Sequence, residues 1–146
     1  VIAVTLVIKA VDLERIIAQC QREAPLEACG VLAGTVQGAG RDVVKEVVTV
    51  YPCQNELQSS IEYRISPDEQ IRVFSTIDEA GLRLVGFYHS HPHHSSRPST
   101  LDEDRAHYYG HSYLIIALRP LHVSSWILRQ QRTFQEERIV VRHPSP

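Results

Sequence analysis

The sequence predicts an α/β fold, a single domain on a curved, mixed, largely antiparallel sheet flanked by helices. Three observations carry the prediction. β-Branched and apolar runs recur between breaks rich in Gly, Pro and Ser; two stretches place apolar residues at helical spacing; and Ser66 and Ser99 each open a helix-capping pattern.

In order along the chain, the opening run Val1–Ile8 reads as a strand. It is too short to span a bilayer, and it lacks both a basic leader and a small-residue cleavage site. Leu13, Ile16, Ile17, Cys20 and Ala24 follow Asp12 at helical spacing, which predicts a helix over 12–24 with Asp12 as N-cap and Pro25 beyond its end. Residues 28–35 and the β-branched run Val43–Val50, on either side of a Gly-containing turn at Gln37–Gly40, predict two paired strands. Pro52–Ser60 reads as a loop and Glu62–Ile65 as a short strand. Ser66-Pro67-Asp68-Glu69 then supplies serine at N-cap, proline at N1 and glutamate at N3; Ile71, Phe74 and Ile77 give that helix its apolar face, and Gly81 ends it. Leu82–Tyr88 predicts a strand running into His89, and Pro92–Pro98 a loop. Ser99–Asp102 opens a short helix that Gly110 closes. Strands at Tyr113–Leu118, Val123–Arg129 and Phe134–Val141 complete the domain, with a frayed tail over 142–146.

Composition narrows the function classes. With 146 residues, 43% of them hydrophobic and 22% charged, the chain buries enough apolar surface to fold without a disulfide or a structural metal. A formal charge of -2 with scattered Lys and Arg leaves no electrostatic footprint for nucleic acid. Nothing approaches membrane-spanning length. Cys20, Cys29 and Cys53 are odd in number and form no C-x-x-C, which predicts reduced, buried thiols in a cytoplasmic protein.

The residues that point to chemistry stand where the Leu82–Tyr88 strand opens. His89 and His91 are two apart, so in an extended chain their imidazoles project to the same side and can share one ligand. Asp102 follows in the next helix, where the loop could return its carboxylate towards them. Two histidines and one carboxylate form a known ligand set for catalytic zinc, with the fourth tetrahedral position left for water. An H-x-H pair alone also fits surface or hydrogen-bonding histidines, and S-x-x-D before a helix is explained by capping.

The string His89-Ser90-His91-Pro92 followed by Ser99-Thr100-Leu101-Asp102 resembles, in residue type and spacing, the signature of the JAMM (MPN+) zinc metallopeptidases, small stand-alone prokaryotic type. Pro25-Leu26-Glu27-Ala28-Cys29-Gly30 is similar to the segment that brings that family's catalytic glutamate, and the order of strands and helices agrees over nearly the whole chain. The resemblance implies a cytidine-deaminase-like α/β fold, one Zn2+ per chain on His89, His91 and Asp102, Glu27 as general base and acid, and Ser99 as the donor to the oxyanion. It also implies hydrolysis after the C-terminal glycine of a ubiquitin-like or sulfur-carrier protein with a Gly-Gly tail, an extended segment that could add along an exposed sheet edge. His93 and His94 read as solvated loop residues. Ser90 faces away from the pair by strand alternation.

Three other readings compete. RadC-type chains have asparagine between the histidines and a loop glycine, both missing here, and phage tail-associated members carry a fused cell-wall peptidase domain. A non-catalytic MPN scaffold breaks the histidine pair or the aspartate. A zinc deaminase needs H-x-E and P-C-x-x-C, which these cysteines do not form.

Overall fold

Residues 3–38 and 42–145 are described by the computed structural model. Val1 and Ile2 of the opening run, Ala39 and Gly40 of the expected turn, and Pro146 of the tail lie outside the described residues. In chain order come β1 (Ala3–Lys9), α1 (Ala10–Glu23), β2 (Cys29–Gln37), β3 (Asp42–Cys53), α2 (Pro67–Glu79), β4 (Arg83–His91), α3 (Thr100–Arg105), β5 (Ser112–Leu118), β6 (Leu121–Arg129) and β7 (Thr133–Arg142).

The strands hydrogen-bond in the order β1-β3-β2-β4-β5-β6-β7, and β7 pairs back onto β1 to close a barrel. β1–β3, β1–β7 and β4–β5 are parallel and the other four pairs antiparallel, so the sheet is mixed as expected. Within the closed sheet β4 pairs with β2 over residues 83–89 and with β5 over 86–91.

The central strands are buried on both faces, which explains why β2, β4 and β5 read as nearly continuous apolar runs. On one face Leu32, Val85, Tyr88, Leu114 and Ile116 pack with Ile16 and Cys20 of α1. On the other Val31, Phe87 and Tyr113 pack with Ile77 of α2, with Phe74 and Tyr108 against them. The three cysteines are free and buried, as expected.

Four local expectations are corrected. α1 begins at Ala10, directly after β1, so Asp12 lies buried in the first turn and not at the cap, and Lys9 there makes no side-chain cap. No strand forms at Glu62–Ile65, because the Asn55 side chain takes the backbone groups a ladder would use: its Nδ2 donates to Glu62 O and its Oδ1 accepts from Arg64 N. In α2 Ser66 does cap Glu69 N, but Glu69 accepts from Gln54 N at the end of β3, and Ile71 is 65% exposed while Phe74 and Ile77 face the core. α3 stops at Arg105, not at Gly110, since the following chain bonds to the sheet, Tyr108 N to the Tyr113 hydroxyl and Gly110 N to Leu128 O.

One glycine fixes how closely β4 and β5 can run. A Cβ at Gly86 would fall 1.9 Å from Ser112 O, a backbone atom that cannot move without opening the ladder that aligns His89 with Ile115. Gly86→Ala should therefore cost about 3 kcal/mol or more of stability, at the upper end of ordinary single substitutions. Urea unfolding against wild type tests this, and an unchanged midpoint would show that the strands have slack.

Candidate active site

β4 ends in Phe87-Tyr88-His89-Ser90-His91, and alternation sends the two imidazoles to the α2 face and Ser90 to the α1 face. Ser90 uses that opposite side to fasten the next segment: its Oγ accepts from Ala28 N at 2.8 Å, and its own N–H donates to Ala28 O. The reading of Ser90 as facing away from the pair holds, and the residue acquires a structural task.

Asp102 reaches the histidines through its capping box. Ser99 Oγ accepts from Asp102 N at 3.0 Å, and Asp102 Oδ2 accepts from Ser99 N at 2.8 Å. The carboxylate, locked in this way, meets both rings: Oδ1 lies 3.1 Å from His89 Nε2 and Oδ2 3.0 Å from His91 Nε2, with the two Nε2 atoms 3.2 Å apart. Capping and convergence are thus one arrangement, not competing explanations. His93 and His94 are exposed and stand outside this cluster, the one group of metal-ligating type among the described residues.

The donor set fits a small divalent ion. A tetrahedral ion with ligands at about 2.0 to 2.1 Å separates its donor atoms by about 3.3 Å, close to the 3.2 Å between the two imidazole nitrogens and to the 3.0 to 3.1 Å from each nitrogen to its own Asp102 oxygen. His91 Nδ1 lies 2.6 Å from the Ser95 carbonyl, which can only accept. That contact holds a proton on Nδ1, so the Nε2 lone pair would be free for an ion; without one, Nε2 lies 3.0 Å from Asp102 Oδ2, and the hydrogen bonds to Asp102 and Ser95 hold the ring above its ordinary value against burial. Burial alone would raise the Asp102 carboxyl, but the facing imidazoles and the Ser99 N–H hold it well below the usual carboxylate range.

Glu27 follows the turn after α1 and is only 2% exposed, with Oε1 buried and unpartnered. Burial pushes its carboxyl up to about 7, against the pull of His89 and His91. Cys29 pairs with His89 and Ala28 bonds to Ser90, so the register brings Glu27 level with His91. A buried carboxylate oxygen left without a partner beside convergent ligands suits a group that exchanges a proton.

Two residues that no motif singles out shape the surroundings. Asn55 is buried, donates to Glu27 O, Ser59 O and Glu62 O, and accepts from Leu57 N and Arg64 N, so one side chain fixes the Glu27 backbone and the loop ahead of α2. Tyr63, on that loop, stacks on His89 with ring centroids 4.5 Å apart. A lone Asn in a polar stretch gives no sequence signal. A cavity of about 450 Å³ opens beside the cluster, walled by Tyr63, Phe87, Tyr108 and Tyr113 and reaching His89 and Asp102. The Glu62–Arg105 ion pair, 2.9 Å, flanks it.

A closed barrel that presents two imidazoles and a carboxylate at one strand end defines a class, the domains that display a convergent metal-ligand set. The chain belongs to the prokaryotic homologs of the JAB domain, which its residues 9–133 match. It is 36% identical over 94 residues to the desampylase of Haloferax volcanii, a match covering 64% of this chain and 63% of that protein. It is 32% identical over 117 residues to the CysO-cysteine peptidase of Mycobacterium tuberculosis, covering 80% of this chain and 76% of the relative. The solution structure of a protein from Desulfitobacterium hafniense superposes with a TM-score of 0.82 at 30% identity, over 95% of this chain and 94% of the other. The JAMM/MPN resemblance and the α/β fold expected from it are therefore right, and no described helix is long and apolar enough to cross a membrane.

The raised Glu27 carboxyl makes stability depend on pH. With a folded value of about 7 against 4.5 for the free group, the folded chain holds this proton more tightly than the unfolded one. Its contribution is intact below pH 4.5 and lost as pH rises through 7. In metal-free protein the loss should reach about 3 kcal/mol. Glu27→Gln should then melt close to wild type at about pH 4.5 and increasingly above it towards pH 8. Thermal melts of chelator-treated samples check this, and a difference that does not vary with pH would mean the carboxyl is not perturbed.

Proposed function

We propose that this chain is a zinc-dependent peptidase or isopeptidase that hydrolyses the bond after the C-terminal glycine of a ubiquitin-like or sulfur-carrier protein. One Zn2+ per chain is held by His89, His91 and Asp102. The observation that carries the reading is the convergence of two imidazoles and a carboxylate beside a buried, unpartnered Glu27 oxygen. The names of the relatives, a desampylase and a CysO-cysteine peptidase, support the kind of substrate.

Zinc bound there supplies Lewis acidity and lowers the pKa of water from about 15.7 to about 7. Glu27 takes the proton of the attacking water as the C–O bond forms, and returns it to the departing nitrogen as the C–N bond breaks. Burial raises its carboxyl above the ordinary range, which favours a group that both takes and returns a proton. Ser99 Oγ accepts from Asp102 N, so its own O–H remains free to donate to the carbonyl oxygen as charge develops. His91 keeps its Nδ1 proton on Ser95 O and presents only a lone pair.

Burial of His89, His91 and Glu27 to 1–2% exposure favours a thin, extended polypeptide at the reacting carbonyl, as a Gly-Gly terminus provides. The aromatic cavity beside the cluster suits the apolar part of a neighbouring substrate residue. The three free cysteines fit a reducing, cytoplasmic setting.

Purified protein should carry one zinc per chain after dialysis. His89→Ala with His91→Ala should lose it, and His93→Ala with His94→Ala should retain it; equal metal in all three would place the ion elsewhere. Glu27→Gln should keep zinc and lose about 10²- to 10⁴-fold in turnover of a sulfur-carrier fusion cleaved after its Gly-Gly. Preferential digestion of casein at many sites would overturn the substrate assignment, and near-normal turnover by Glu27→Gln would overturn its role.

A further inference from the structure

The loop between His91 and α3 hydrogen-bonds to the His91 ring through a backbone carbonyl, that of Ser95. Loops of this length, rich in Ser and Pro, are ordinarily mobile, and a carbonyl on a mobile loop would be a poor anchor for a ring. Ser95 itself is exposed and gives no sign of what holds it. The next residue does. Ser96 is 4% exposed, its hydroxyl lies 2.6 Å from His122 Nδ1 and 2.7 Å from Ser124 Oγ, and its carbonyl accepts from Trp126 Nε1 at 2.9 Å.

His122, Ser124 and Trp126 alternate along β6, so all three project to one face of that strand. β6 pairs with β5, and β5 pairs with β4, which places Ala117 opposite both His122 and His91. The ring of His91 is therefore approached from two sides by one rigid sheet, directly through β4 and indirectly through β6 and Ser96.

We infer that Ser96, His122, Ser124 and Trp126 form a positioning clamp, which holds the Ser95 carbonyl against His91 Nδ1 and so sets metal affinity from two strands away. The inference rests on the zinc reading above. None of the four touches the ligand atoms; each acts through the Ser95 carbonyl, whose hydrogen bond keeps the His91 ring in the orientation and tautomer that aim Nε2 at the cluster.

The test is zinc affinity by chelator competition for wild type, Trp126→Phe, Ser96→Ala and a control, Ile16→Val, which removes one methylene from the α1 core away from the clamp. Partners that orient a ligating histidine are worth about 10- to 100-fold in metal affinity. Trp126→Phe and Ser96→Ala should each weaken zinc by about tenfold, the lower end of that range, while Ile16→Val leaves it unchanged even though the protein melts lower. Trp126 is the only tryptophan in the chain and half-buried, so Trp126→Phe is expected to fold, and its indole reports on the clamp. Zinc titration of wild type should change its emission, and Ser96→Ala should abolish that response. Cobalt in place of zinc adds a visible spectrum that a merely structural role would not move, and it should differ between wild type and Ser96→Ala. Wild-type affinity, emission response and spectrum in Ser96→Ala would overturn the clamp alone, whereas a wild type that binds neither metal would overturn the zinc reading and the clamp with it.

Discussion

Two imidazole nitrogens 3.2 Å apart each meet one oxygen of the same carboxylate, at 3.1 and 3.0 Å, where β4 ends, and everything nearby follows from holding them there. The two nitrogens repel when both present lone pairs, and in a buried setting that repulsion is barely screened. The chain does not relax the arrangement. β4 is hydrogen-bonded on both sides, Gly86 lets β5 approach to van der Waals limits, and the capping box fixes Asp102 through two backbone contacts. The rigidity of a paired strand is what makes the convergence tolerable.

Around this cluster the polar scaffold is arranged so that each functional group is held by its backbone and left free at its tip. Asn55 and Ser59 bind the Glu27 main chain while Oε1 has no partner. Ser99 accepts from Asp102 N and keeps its hydrogen. His91 is tethered at Nδ1 and aims Nε2 at the cluster. This division suits catalysis, because groups oriented in advance do not have to reorganise while charge moves. Tyr63 adds a face contact to His89 and walls the cavity beside it.

The far side of the barrel is held by a different device. Lys45 and Glu137 pair at 3.3 Å with both side chains buried, and Glu137 Oε1 accepts from the Ser112 and Ser125 hydroxyls. A buried ion pair adds little net stability, but its hydrogen bonds tie β3, β5, β6 and β7 in one register. The two halves of the sheet are thus fastened by polar contacts that an apolar core would leave free to slide.

The sequence by itself determined most of the elements and the cluster's membership. Alternation over Leu82–Tyr88 and the spacing of His89 and His91 dictate that both rings share a side, and Ser99-x-x-Asp102 dictates a capped helix, since these depend only on local geometry. Glu27 was legible through family resemblance alone, because nothing local distinguishes it from other carboxylates. Tertiary structure decided what depends on distant partners. Asn55 removed the strand expected at Glu62–Ile65 by taking its backbone groups, and bonds to Tyr113 and Leu128 cut α3 short of Gly110. Ser96 met His122, Ser124 and Trp126 across a separation of 26 to 30 residues. Such contacts are fixed by the folded sheet and leave no periodic trace in the chain.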